Sequence, residues 1–177
     1  MTNKKLAKNF SLTEFTNHDL TDYQISLLKI LAEELQKVRD RLQDYKSGKK
    51  AVTITICSGV RTQADYERIK KNGSNPSKTS DHFCGLQLLC KPTMGAADIH
   101  VNNCSLSLLE VAKLIKKMDE DGECHFGQVI YEENPKTKSA WIHLGNDWKQ
   151  IFTDRVAVSR KKYLMSTDNG VTFKALK

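Results

Sequence analysis

Between Leu20 and Tyr45 the apolar residues Leu28, Leu31, Leu35, Val38, Leu42 and Tyr45 recur at steps of three and four, the spacing of one face of an α-helix. A stripe of that length is stable only when it is covered. For a chain of 177 residues, which suits one compact domain with its own core, the reading is one-sided packing against that core in preference to pairing with a second chain. Thr21 or Asp22 can cap the start of the helix, and Ser47-Gly48 can end it. No internal repeat or low-complexity linker divides the chain, so residues 1–177 are read as a single domain.

Around this helix the sequence alternates strand-like and helix-like segments. Phe10, Leu12 and Phe15 suggest a short strand or turn docked on the core. Ala51 to Cys57, rich in Val, Ile and Thr, reads as a strand with Cys57 buried, and Ser58-Gly59 as the turn after it. Thr62 with Asp65 resembles a capping box, which predicts a short helix from Gln63 to about Lys71, stopped by Asn72-Gly73. A polar loop, 74–80, leads to His82 and then to an apolar stretch ending at Pro92. Ala96 to Val101 reads as a strand in which Asp98 and His100 point one way while Ala97, Ile99 and Val101 point to the core. Ser105 or Ser107 caps a helix bearing Leu108, Val111, Ile115 and Met118, ending near Gly122. Phe126 to Glu132 and Ala140 to Leu144 are expected to pair as a hairpin. Asp168-Asn169-Gly170, between Tyr163 to Thr167 and Val171 to Phe173, signals a second hairpin, a C-terminal extension at about 160–175.

Lys and Arg number 28 against 21 Asp and Glu, a net charge of +7, which suits partners carrying phosphates or carboxylates and also simple solubility. The basic tail residues Arg155, Arg160, Lys161 and Lys162 come without an aromatic-lined sheet motif, helix-turn-helix signature or zinc-finger spacing. Nucleic acid is therefore not the expected partner, whereas anionic cell-wall polymers remain one. No stretch reaches the roughly 20 apolar residues of a membrane span, and the start MTNKKLAKNF lacks an apolar signal core. The expectation is a chain made in the cytosol that does not insert in membranes. The five cysteines, Cys57, Cys84, Cys90, Cys104 and Cys124, include no Cys-x-x-Cys pair, so no disulfide framework is expected. Cys84 and Cys90 lie near enough to His82 to be weighed as ligands.

Zinc hydrolases hold their metal with a few His, Asp or Glu side chains and leave one position open, where water is acidified for attack. His82 in a loop, Asp98 on a strand and His143 on a later strand are suitable donors, with His100 in reserve; His18 and His125 read as surface residues. No pair has the one-turn spacing of a helical His-Glu-x-x-His motif, so such a site would be assembled from separate elements.

Taken together, five segments resemble the D-alanyl-D-alanine carboxypeptidase-like zinc metallopeptidases, and in the family's order. They are Ile56-Cys57-Ser58-Gly59-Val60-Arg61, Ser80-Asp81-His82-Phe83-Cys84-Gly85, Ala96-Ala97-Asp98-Ile99, Phe126-Gly127-Gln128-Val129-Ile130-Tyr131-Glu132 and Trp141-Ile142-His143. The resemblance covers about Phe10 to Leu144. It implies an α+β fold, a small central antiparallel sheet flanked by helices, of the hedgehog/DD-peptidase type. It also implies zinc on His82, Asp98 and His143, and Arg61 on the substrate or on the oxyanion formed during attack. Ser58 and Ser80 add hydrogen bonds to substrate or serve turns and caps.

The implied activity is zinc-dependent hydrolysis of peptidoglycan stem peptides, by a carboxypeptidase or endopeptidase of D,D or L,D type, as in phage endolysins. Such a protein acts after release or as part of a virus particle. The stretch from His82 to Asp98 is longer than the family's; the simplest alignment keeps His82-x-x-Gly85, inserts 86–94 and resumes at Gly95. Many members carry a Glu three residues before the last His, where this chain has Ala140. Glu132 is the candidate general base: if Gln128 pairs with His143, Glu132 shares the face of that ligand, and a slip of one residue presents Glu133 instead. The alternative function is a non-catalytic zinc-fold module that binds wall or builds a virion.

Overall fold

The computed structural model describes residues 4–73, 76–85, 87–88, 91–147 and 161–177. A short antiparallel pair, β1 (Lys5–Ala7) and β2 (Phe10–Ser11), leads into the single turn α1 (Leu12–Phe15). The long helix α2 (Asp22–Leu42) follows, capped by Thr21, whose Oγ1 accepts from the Gln24 N–H, and it tightens into a 3₁₀ turn at Gln43–Tyr45. Then come β3 (Thr53–Ser58), α3 (Gln63–Lys71), a 3₁₀ turn at Asp81–Phe83, and the small pair β4 (Gln87–Leu88) and β5 (Lys91–Pro92). The chain continues through β6 (Ala96–Asn102), α4 (Leu108–Glu120), β7 (Phe126–Asn134), β8 (Ser139–Asn146), β9 (Lys162–Ser166) and β10 (Lys174–Ala175). The capping box read at Thr62 forms, and of the two serines weighed for α4 it is Ser107 that caps it, in a box with Glu110. No helix is long and apolar enough to cross a membrane among the described residues.

Six strands form one sheet in the order β10-β9-β7-β8-β6-β3. The α+β expectation holds at that level, but the sheet is neither small nor wholly antiparallel, because β9 joins β7 in parallel, with Ile130 opposite Leu164. β9 and β10 do pair antiparallel, with Asn169 and Gly170 at φ 62° and 75° as the Asn-Gly signal requires. The connection is wider than a two-residue turn, because the Asp168 carboxylate closes loop 167–173 on itself. It accepts from Ser166 Oγ at 2.7 Å and from the N–H groups of Val171 and Thr172 at 3.1 and 2.9 Å.

Strand alternation divides the sheet into a covered and an open face. Ile54, Ala97, Ile99, Val101, Val129, Tyr131, Ile142 and Leu144 are buried in one cluster with Leu28, Leu31, Leu35, Val38 and Leu42 of α2 and Val111, Ile115 and Met118 of α4. The opposite face carries Asp98, His143, Gln128 and Glu132. Glu132 and Gln128 share a face with His143 because Ile130 lies opposite His143. The pairing of Gln128 with His143 expected from sequence is thus two residues away from the real one, which leaves parity intact.

β3 changes face at its end. Ile54 and Ile56 pair with Val101 and Ile99, but a register shift at Cys57 sets Ser58 opposite Asp98. An extra residue in one strand reverses the alternation beyond it. Cys57, expected in the core, is exposed at this bulge. Gly59 follows, and a Cβ there would stand 2.1 Å from the Phe15 carbonyl oxygen. Segment 86–94, read as an insertion, contains β4 and β5, and its end is internal: Thr93 and Met94 are buried, and the Met94 N–H donates to Asp81 Oδ1 at 3.1 Å.

Replacing Gly59 by Ala is expected to lower stability by about 3 kcal/mol, the scale of unrelieved overpacking. Gly48→Ala, at φ 75° but with nothing within 4 Å of the added carbon, should cost about 1 kcal/mol. Urea denaturation of the two variants checks the order.

Candidate metal centre

His82, Asp98 and His143 come together on the open face, all three buried. Asp98 and His143 face each other across the β6–β8 ladder, while His82 is delivered by the 3₁₀ turn Asp81–Phe83. Three backbone features hold that turn in place: Ser80 Oγ accepts from the His82 N–H at 3.4 Å, the Arg61 N–H donates to the His82 carbonyl at 2.8 Å, and Cys84 takes a left-handed φ of 42°.

The donor atoms form a nearly equilateral triangle. His82 Nε2 lies 3.1 Å from Asp98 Oδ1 and 3.1 Å from His143 Nδ1, and the last two are 3.0 Å apart. Ligands at zinc–donor lengths of about 2.05 Å and tetrahedral angles stand about 3.3 Å from one another, so the triangle has the size such an ion requires. The tautomer of His82 follows from its other nitrogen. Nδ1 is 2.6 Å from the Gly59 carbonyl, which can only accept, so Nδ1 carries the proton and neutral His82 presents a lone pair at Nε2. His143 Nε2 is 3.3 Å from Gln128 Oε1, the same arrangement, which frees Nδ1 to point at the cluster. Two imidazole lone pairs and a carboxylate oxygen thus converge where only a cation or a shared proton can reconcile them.

The protonation energetics agree. Burial and the Arg61 and His143 charges outweigh the pull of Asp98 and lower the pKa of His82, keeping it neutral. Burial also opposes charge on His143, but its hydrogen bond to Asp98 and that residue's charge prevail, so its pKa is raised. For Asp98 burial favours the neutral acid, yet the two imidazoles hold its carboxyl well below the usual range. The place a metal would take thus favours positive charge.

Arg61 lies against this cluster. Its Nη2 donates to Asp98 Oδ2 at 2.6 Å and its Nε to Ser58 Oγ at 3.1 Å. The guanidinium fixes the outer oxygen of Asp98 and leaves its inner oxygen for the triangle. Ser58 holds Arg61 and Ser80 caps the His82 turn, so both of these candidate substrate contacts have structural partners. Glu132 lines the same cavity as His143 and lies opposite Trp141 in the β7–β8 ladder. Burial first, with the Asp98 charge adding, raises its pKa. Glu133 lies on the other face, bonded to the Tyr131 hydroxyl. His100 is exposed opposite Thr55 and stays out of the cluster. Cys84 is turned to the Gln24 carbonyl at 3.7 Å, with its thiol pushed up to about 12 by burial; Cys90 lies outside the described residues.

The sequence reading missed two members. Gln128 was identifiable from its parity with Glu132, but the Gly59 carbonyl carries no side-chain signal at all. The cluster sits at the bottom of an open cavity of about 780 Å³. It is lined by Arg61, Tyr66, Glu132 and Trp141 and walled by 76–82, Asn169, Gly170 and Phe173. That size accommodates a peptide-sized ligand. Searches against family models, curated proteins and solved structures gave no match.

His82→Ala, Asp98→Ala and His143→Ala should each abolish uptake of a divalent metal such as zinc, while His100→Ala keeps it, as measured by elemental analysis of the purified proteins. Metal retention should fall as pH drops, with His143, whose pKa is raised, taking up a proton before His82, whose pKa is lowered, because both histidines must be unprotonated to ligate.

Proposed function

We propose that this protein is a zinc-dependent hydrolase that cuts peptide bonds in bacterial peptidoglycan stem peptides, of the kind phages use for wall lysis. One observation carries the reading: a carboxylate and two imidazoles of fixed tautomer, spaced for a tetrahedral ion, line an open cavity. A purely structural zinc site is closed by four protein ligands, whereas three ligands facing a cavity leave a position for substrate or water. This weighs against the non-catalytic module, which Ala140 in place of an acid would otherwise favour. The choice of stem peptides rests on the resemblance of the five segments to D-alanyl-D-alanine carboxypeptidase-like enzymes. A helix-backed sheet with its donors on the open face suits the hedgehog/DD-peptidase arrangement.

The chemistry a zinc ion supplies in such a site is acidification of water and polarisation of a carbonyl. The chain's own groups do the rest. Glu132, with a raised pKa and a place beside His143, accepts a proton from the attacking water and returns one to the leaving amine. Arg61 orients Asp98 through its outer oxygen, and its remaining N–H groups meet the negative charge that develops on the substrate carbonyl oxygen. Gln128 and the Gly59 carbonyl hold the two imidazoles in the ligating tautomer.

Digestion of purified peptidoglycan with and without a chelator tests the reading, with release of new amino termini lost on chelation and restored by zinc. Glu132→Gln should retain zinc and fold but lose about a hundredfold or more in turnover, whereas Glu133→Gln should stay near the parent rate. Equal turnover in the Glu132 variant would remove it as the base.

A further inference from the structure

The open face extends past the metal centre. Register puts Ile130 beside His143, Leu164 beside Ile130, and Lys162 beside Gln128, and Ile130, Leu164 and Lys162 all line the cavity. The C-terminal loop closes the far side, bringing Phe173 and Gly170 to the same space. Two lysines adjacent in sequence are divided by the strand's alternation. Lys161 turns away to Asp119 and Asp147, while Lys162 points into the cavity and forms no hydrogen bond or ion pair among the described residues. Arg61 spends Nη2 on Asp98 and Nε on Ser58, and the hydrolase reading assigns its remaining N–H groups to the reacting carbonyl oxygen, so a substrate carboxylate farther along the cavity calls for a different cation. Lys78 also lines the cavity, but from segment 76–80, outside the sheet, whereas the Lys162 backbone is held opposite Gln128 in the β7–β9 ladder.

We propose that Lys162 anchors a substrate carboxylate in a subsite floored by Ile130 and Leu164, with Phe173 as its outer wall. The residue seated there has a short aliphatic body that covers the apolar floor and ends in a carboxylate, either a side chain or the peptide's own terminus. Sheet geometry fixes both halves of this preference: the floor comes from side chains next to the ligand His143, and the cation from the same strand two residues before Leu164. The peptide nature of the ligand rests on the hydrolase reading above, but the carboxylate anchor is read from Lys162 itself.

Equilibrium binding tests it, using the zinc-loaded full chain, a synthetic stem peptide with free carboxylates and its fully amidated counterpart. The parent protein should bind the free acid about tenfold tighter or more, the scale of one hydrogen bond to a charged group. That preference should vanish in Lys162→Ala and survive in Lys162→Arg, with zinc content and thermal unfolding confirming that each variant is folded. A preference that persists in Lys162→Ala, or is absent from the parent protein, overturns the proposal. If the preference depends on Lys162 but no peptide is cleaved, the hydrolase reading fails and the anchor stands. If cleavage is robust and the preference ignores Lys162, the anchor alone fails.

Discussion

Asp98 and His143 lie opposite one another on neighbouring strands, and nearly every other feature of the site depends on that pairing. The same ladder sets Ile99 against Ile142 and Ala97 against Leu144 on the covered face. A shift of one residue would drive a carboxylate and an imidazole into the layer beneath α2 and α4 while exposing the apolar set. Burying an unpaired carboxylate there costs several kcal/mol, so the hydrophobic core enforces the register on which the candidate metal ligands rely.

The third ligand has no ladder to place it and is located by backbone contacts instead. The bulge at Cys57 turns Ser58 toward Asp98, and Gly59 passes so close to Phe15 that no side chain fits. The resulting path aims the Gly59 carbonyl at His82 Nδ1. One glycine thus does two things: it permits the close approach of the N-terminal segment and it sets the tautomer of a ligand. With the tautomer set, the folded chain holds electron-rich atoms about 3 Å apart, and Arg61 on the outer oxygen of Asp98 relieves only part of that repulsion. A divalent cation relieves the remainder, which gives the site a reason to bind one.

Both long helices cover one face of the sheet, leaving the other to line the cavity. Loop 76–82 and α3 wall one side of that face, and the segment 161–175 walls the other by adding β9 and β10 at the edge. The parallel pairing of β9 with β7 places Leu164 and Lys162 beside Ile130 and Gln128 on the open face, so this extension of the chain takes part in shaping the cavity.

Local patterns in the sequence determined the elements and their faces. The three-and-four spacing of Leu28 to Leu42 produces α2, the boxes at Thr62 and Ser107 start α3 and α4, and alternation through β6 and β8 separates Asp98 and His143 from Ile99 and Ile142. Parity also told Glu132 from Glu133, even though the hairpin register differs by two residues, because an even shift does not exchange faces. What only the tertiary structure decided depends on contacts between distant segments. The bulge that exposes Cys57, the Gly59 carbonyl on His82, the commitment of Arg61 to Asp98 and the parallel docking of β9 each involve partners far apart in the chain. Spacing and propensity describe a residue's neighbours within a turn or a strand; which backbone carbonyl or strand edge it finally meets is set when the whole core closes.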